Sequence, residues 1–358
     1  MKQIRIASIL PNNNTVERIQ ELLRFDASKH NMQFVYDEEN PDYLLVTNLI
    51  YDRKNLFNKF KKYLKQDCIL IYFSGECATP DMNVFDYAIA FDRNLQYGDR
   101  IARLSTCRFY SVSLFPEYMN MEINNELLSK KKKFCNFMYS HPYSTRDNLF
   151  HKICEYKKVD STGKHLNNTG AKNTRYDIDW RRLSIEDRIP YKFSIAAENA
   201  SFPGYVSEKL LSCLEAHTIP IYWGDPTICE ELNTKAFINC HEYNSFDEVL
   251  EVVKRIDNDD CLFESILKEP WQTEDQKKKT EILDKNYDEW ILKIFTQTKQ
   301  EARRRPIGTY PDMYRRWYTE RYKKTLTRYI KHIGIKLLYF FKIRKVLSLI
   351  HSKIWDRL

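Results

Sequence analysis

The sequence predicts an α/β protein of two doubly wound units facing one cleft, followed by a basic amphipathic tail. Three observations predict this. Short runs rich in β-branched and aromatic residues alternate with amphipathic helical stretches over residues 4–73. A second block of the same kind begins near residue 133. From residue 301 onward the chain turns basic, with 16 Lys and Arg against 4 Asp and Glu.

In the first block, residues 4–10 read as a strand, 15–25 as an amphipathic helix, 33–36 and 43–47 as strands, 54–64 as a helix and 69–73 as a buried strand. Strands alternating with helices imply a parallel sheet covered on both faces, because a parallel crossover needs a helix-length connection. No G-x-G-x-x-G follows any of these strands, which argues against an ordinary dinucleotide site. The second block reads as strand 134–138, helix 146–156, strand 193–196, a helix from Val206, strands 219–223 and 236–239, and helix 246–256. The charged run at residues 130–133 marks the boundary, giving units 1–132 and 133–300 and a tail 301–358. Residues 273–300 are charged and helix-compatible without a heptad series.

Apolar content of 43% and charged content of 30% over 358 residues belong to a globular chain with enough length for two cores. The net charge of +8 is uneven: the tail carries +12 and residues 1–300 carry −4. The N-terminal stretch MKQIRIASILPNNN has too short an apolar run for a secretory leader, so the expected location is cytoplasmic. Nine cysteines without a C-x-x-C pair point away from a disulfide framework or a zinc site, and most are expected to be buried. In the tail, Leu326, Tyr329, Ile330, Ile333, Leu337, Phe341, Leu347, Ile350 and Ile354 recur near helical spacing among Lys and Arg. The run 337–341 is too short to span a bilayer, so the expectation is a peripheral anchor on an anionic membrane surface; the alternative is a helix docked on the protein's own body. Nucleic acid is not an expected partner, although charge alone does not separate it from a membrane.

The densest polar information lies in residues 191–225, YKFSIAAENASFPGYVSEKLLSCLEAHTIPIYWGD. Two apolar runs there enclose Glu198, Asn199, Tyr205, Ser207, Glu208 and Lys209, with the last three at a helix start. Unpaired backbone N–H groups and the positive end of the helix dipole favour an anion such as phosphate, and Lys209 adds a full charge. Gly224 closes the following strand, where backbone can approach a ligand. The plain alternative is a βαβ unit with Ser207 as a cap and solvated charges beyond it.

The strings AENASFPGYVSEK and HTIPIYWGDP resemble the donor-sugar motif of the α-1,3/4-fucosyltransferases of glycosyltransferase family 10, especially the bacterial members. FSGE, ending at Glu76, with FDYAIAFD resembles the family's acceptor-side segment, and AFINCHEYNSFDEVLEVVK resembles the segment after the donor motif. Ser207 stands where threonine is commoner, and the heptad repeats of some bacterial members are missing. The resemblance implies two Rossmann-like domains in the glycosyltransferase B architecture, with acceptor binding in the first and GDP-fucose binding in the second. It implies inverting transfer from GDP-β-L-fucose to a hydroxyl of N-acetylglucosamine in a β-galactoside-type glycan, α-1,3 or α-1,4, giving a Lewis-type product.

Such a transfer needs a base to take the acceptor proton and cations to meet the charge that grows on the departing phosphate. Glu76 lies just past a strand's C-terminal end, where open α/β sheets place ligands, and by resemblance is the base. Lys209 and Arg146 are the candidate cations. By resemblance Glu208 accepts ribose or fucose hydroxyls, and Asn199, Tyr205, Val206 and Ser207 belong to the donor site. Glu198 is either a second charge near the anomeric carbon or a structural hydrogen-bonder. No metal or other cofactor is expected, since the D-x-D spacing in DIDW at residues 177–180 follows no buried strand. Two rivals remain: a transferase of the same architecture with another GDP-sugar, and a non-catalytic carbohydrate- or membrane-binding protein.

Overall fold

A computed structural model describes residues 1–11, 14–111, 114–171, 177 and 179–320. The first unit contains β1 (Lys2–Ile9), α1 (Val16–Leu23), β2 (Met32–Tyr36), β3 (Tyr43–Thr47), α2 (Lys54–Tyr63), β4 (Ile69–Phe73), β5 (Tyr87–Ile89) and β6 (Ile101–Ala102). Its sheet is parallel, in the order β2-β1-β3-β4-β5-β6. Short helices α3 (Thr106–Phe109), α4 (Pro116–Met119) and α5 (Asn125–Lys130) lead to the second unit. That unit holds β7 (Lys133–Phe137), α6 (Ser144–Cys154), β8 (Val159–Ser161), α7 (Trp180–Glu186), β9 (Tyr191–Ala197), α8 (Glu208–Glu215), β10 (Ile219–Trp223), β11 (Ile238–Asn239) and α9 (Phe246–Asp257). Its sheet is also parallel, in the order β11-β10-β9-β7-β8. The chain ends its described part with α10 (Asp260–Leu267), α11 (Glu274–Thr296), α12 (Lys299–Ala302) and α13 (Thr309–Glu320).

The pleat explains why the central strands read as unbroken apolar runs. Successive side chains leave opposite faces. Tyr43, Leu45, Ile69 and Ile71 therefore enter one core, while Leu44, Val46, Leu70 and Tyr72 enter the core on the other face. Every residue of β3 and β4 is buried, as a sheet covered on both sides requires. The strands absent from the sequence reading, β5, β6 and β8, have only 3, 2 and 3 residues, too few to show a period.

Two expectations are corrected. The second unit does not run to residue 300, because α11 returns to the first sheet. Tyr287, Ile291, Ile294 and Phe295 join the same core as Ile4, Ile6 and Tyr43, and the Phe295 ring stands edge-on to Phe34 and Tyr43 at 4.9 Å. Nor is 301–320 a free tail. Arg305 is buried and ion-paired with Asp86, Tyr314 Oη donates to Asp81 at 2.6 Å, and Tyr318 is fully buried beside Phe57 and Phe60. The apolar stripe from residue 322 onward lies outside the described residues. The cysteines also differ from expectation: Cys68, Cys135, Cys213 and Cys240 are buried, while Cys229 and Cys261 are exposed.

The two units meet through a buried ion cluster. Arg93, just past the first sheet, reaches Asp225 at 2.7 Å and also pairs with Glu231, while its Nε donates to Thr227 at 3.0 Å. Glu231 further accepts from the Thr106 amide at 2.7 Å and pairs with Arg103. Close by, a Cβ on Gly204 would stand 2.1 Å from the Phe91 carbonyl oxygen, and Gly204 has φ +86°, so the loop after β9 presses on the first unit where only glycine fits. Arg93→Met should destabilise the protein by about 3–5 kcal/mol, because it strands the buried Asp225 and leaves Glu231 only Arg103 as an ion-pair partner. Denaturant unfolding checks this, and a change below about 1 kcal/mol, the size of a surface pair, would show that the cluster does not hold the units together.

Candidate active site

The C-terminal ends of both sheets open onto one cleft. Glu76, Arg146, Asn199, Glu208 and Lys209 all line it, together with Asp52 and Arg53 from the first unit and Tyr139, Tyr143, Trp180 and Arg188 from the second. Register explains the convergence. Thr47 pairs with Phe73 and Ala197 with Trp223, so the loops carrying Glu76 and Glu198–Tyr205 leave their sheets at the same level as the neighbouring strand ends.

Glu76 is exposed, and its carboxylate is held by the other unit. Asn199 Nδ2 donates to Glu76 Oε2 at 3.1 Å. The Tyr205 hydroxyl lies 2.9 Å from both Glu76 Oε2 and Asn199 Oδ1, and its single proton serves one of them at a time. Burial, then the nearby Glu198 and Glu76 charges, push the Tyr205 phenol well above its ordinary pKa, so it remains a donor. Neither contact engages Oε1. A carboxylate fixed through one oxygen presents the other for proton transfer.

Behind this pair lies a second constellation. Glu198 is 1% exposed and accepts from the Ser207 amide at 2.8 Å, the Ser207 hydroxyl at 2.7 Å and Lys209 Nζ at 3.0 Å. This supports the structural reading of Glu198 over that of a charge facing the anomeric carbon. Ser207 has extended backbone and caps α8, so Lys209 sits in the first turn with its ammonium at the positive end of the helix. Burial opposes the Lys209 charge, but Glu198 and Glu208 outweigh it and hold its pKa above the ordinary lysine value. Two of the three ammonium N–H bonds go to Glu198 and Ser207, at 3.0 and 2.7 Å. One remains for a ligand.

Arg146 is in the first turn of α6, as the sequence indicates, and it is no surface arginine, being 3% exposed. Its Nε and Nη2 donate to the Ala197 carbonyl at 3.2 and 3.0 Å and its Nη1 to the His141 carbonyl at 3.3 Å. The guanidinium lies 3.9 Å from the Tyr139 ring centroid and 4.9 Å from that of Tyr143. Carbonyls and aromatic faces orient this cation without neutralising it.

Five predicted site residues do not line the cleft: Glu198 and Ser207 stand behind it, and Tyr205, Val206 and Gly224 lie elsewhere. Tyr205 and Val206 line an adjoining small cavity with Phe91 and Tyr110, and the Val206 carbonyl accepts from the Tyr110 hydroxyl at 3.1 Å. Gly224 is corrected from a ligand approach to a packing role: a Cβ there would stand 2.6 Å from Glu198 Cγ and from Tyr222 Oη. Among the described residues, no group of three His, Cys, Asp or Glu side chains is arranged to hold a metal ion, and no helix is long and apolar enough to cross a membrane. Sequence reasoning missed Tyr139, Tyr143, Trp180 and Arg188. The aromatic spacing before Arg146 in YSHPYSTR was the available signal for the two tyrosines.

Residues 128–314 match the family model for glycosyltransferase family 10 (fucosyltransferase), C-terminal part, and residues 12–110 match that for the α-(1,3)-fucosyltransferase FucT N-terminal domain. The α-(1,3)-fucosyltransferase FucT of Helicobacter pylori is 30% identical over 219 residues, covering 53% of this chain and 44% of that protein. The human GDP-fucose protein O-fucosyltransferase 3 is 29% identical over 202 residues, covering 52% of this chain and 39% of that protein. The chain thus spans less than half the length of these curated relatives. A crystal structure of an α1,3-fucosyltransferase superposes with a TM-score of 0.63 at 21% identity, over 86% of this chain and 93% of that one, which shows a shared fold.

Proposed function

The chain belongs to glycosyltransferase family 10, the fucosyltransferases, and from that premise we propose that it transfers L-fucose from GDP-β-L-fucose to a glycan hydroxyl with inversion. Glu76 Oε1 takes the acceptor proton as the acceptor oxygen attacks the anomeric carbon. The bond from that carbon to the β-phosphate oxygen breaks, and the electron pair leaves on GDP. Lys209 and Arg146 meet the charge that builds on the phosphate, which is where fixed cations lower a barrier most. Glu208 receives ribose or fucose hydroxyls. The reaction needs no metal in this scheme. One observation carries the reading: Glu76 comes from the first sheet, yet it is anchored by the donor-motif residues Asn199 and Tyr205 beside Lys209.

The proposed acceptor is N-acetylglucosamine in a β-galactoside-type glycan, by α-1,3 or α-1,4 linkage, giving a Lewis-type product on a surface polysaccharide. The experiment is a donor panel of GDP, GDP-fucose and GDP-mannose by titration calorimetry, followed by turnover on β-galactoside disaccharides. Preference for GDP-mannose would move the chain to another GDP-sugar, and binding without turnover would make it a carbohydrate-binding protein.

We further propose a peripheral position on an anionic membrane, at the cytoplasmic face. While α13 docks one side on the first unit, Tyr310, Met313 and Trp317 on its outer side are 82%, 52% and 61% exposed. The following residues 321–358 carry 11 Lys and Arg against one acidic residue. An apolar stripe continued by positive charge suits the headgroup boundary of anionic lipid. A chain ending at Glu320 should stay folded and lose most co-sedimentation with anionic vesicles. One ending at Arg305 should lose about 3–5 kcal/mol of stability, because it deletes the Tyr318 ring from between Phe57 and Phe60. Unchanged vesicle binding after truncation at Glu320 would exclude the anchor, and unchanged stability after truncation at Arg305 would exclude the docking role of α13.

A further inference from the structure

We infer that Arg188 is a third cation of the nucleotide site, neutralising the donor's diphosphate together with Lys209 and Arg146. The inference rests on reading the cleft as a nucleotide-sugar site. Arg188 follows α7 and lines the cleft with Lys209, Arg146 and Ser212, yet it is only 6% exposed. Its Nη1 donates to the Ser184 carbonyl, and its buried Nε makes no hydrogen bond. Among the described residues no carboxylate forms an ion pair with it, whereas Arg181, two turns earlier on the same side, is paired with Glu215 at 2.8 Å. Elsewhere in the molecule, the buried Arg93 and Arg305 likewise have carboxylate partners.

A buried guanidinium held by a carbonyl and set beside the Cys213 thiol, with no carboxylate in ion-pair contact, keeps its charge and forfeits hydration, which is costly unless an anion completes the site. The Lys209 charge is already balanced by Glu198 at 3.0 Å. Among the described residues, Arg146 and Arg188 are the two buried cations of the cleft without an ion-paired carboxylate, and a diphosphate supplies the matching negative charge. A neutral nucleobase offers acceptor atoms but leaves the charge uncompensated. Arginine also suits the task by geometry, because its planar fork engages two phosphate oxygens at once.

The test titrates GDP and guanosine into wild type, Arg188→Met and Arg188→Lys, with thermal unfolding of each apoprotein. Arg188→Met should weaken GDP binding about tenfold or more, as expected for a charge-assisted phosphate contact. Guanosine binding should be unchanged, and Arg188→Lys should retain much of the GDP affinity. The apoprotein carrying Met should unfold at the wild-type temperature or higher, because an uncompensated charge has gone; a merely structural arginine would lower it. Should the Met variant fail to fold, Arg188→Gln replaces it as the neutral variant. Wild-type GDP affinity in the neutral variant overturns the inference while leaving the nucleotide reading intact. Equal losses for GDP and guanosine overturn it in favour of a base contact. Failure of wild type itself to bind GDP overturns the nucleotide reading and this inference with it.

Discussion

Glu76→Gln should abolish all but a small residue of turnover while GDP binds as tightly as to wild type. Glutamine preserves the side chain's length and can still accept from Asn199 and Tyr205 through its amide oxygen, so the cross-cleft contacts at 3.1 and 2.9 Å survive. What is lost is the capacity to take a proton. A positioned base contributes typically about 10²–10⁴-fold, and the expected fall in kcat lies in that range with little change in KM for the donor. Steady-state kinetics on a soluble disaccharide, with calorimetry on GDP, checks both halves. A variant keeping more than about a tenth of wild-type kcat has lost less than any base of that kind supplies, and the proton would then have to leave by another route.

Lys209→Met should have two separable effects. Removal of the ammonium strips one cation from the phosphate site, weakening GDP by about 1.5–3 kcal/mol. It also leaves Glu198, whose side chain is fully buried, with only Ser207 to satisfy it, which should lower stability by about 3–5 kcal/mol. The double variant Glu198→Gln with Lys209→Met separates the two. It removes the stranded charge, so stability should recover, whereas GDP affinity should not. If the double variant regained wild-type GDP affinity, Lys209 would act only by holding the loop, and the phosphate contact would have to be assigned elsewhere.

The sequence by itself determined the fold class and the helix start that carries Lys209. Apolar runs such as 43–47 and 69–73 are strands in either reading because both faces of a parallel sheet are buried, and period and length alone place them. The helix start at Ser207 and the cation at Lys209 were equally legible, since a cap and its first turn are local events that a few consecutive residues specify. The partners of Glu76 were not. Asn199 and Tyr205 read as nucleotide or sugar contacts, but their hydrogen bonds to a carboxylate 123 and 129 residues away exist only once the two sheets face each other. The same holds for α11. Its charged exterior hides an apolar side at Tyr287, Ile291, Ile294 and Phe295, and nothing local says which of two sheets will cover it. Arg188 makes the point most sharply. A charged residue reads as surface from sequence, and only tertiary structure shows it buried with no ion-paired carboxylate among the described residues, because whether a charge is paired depends on what the rest of the chain brings to it.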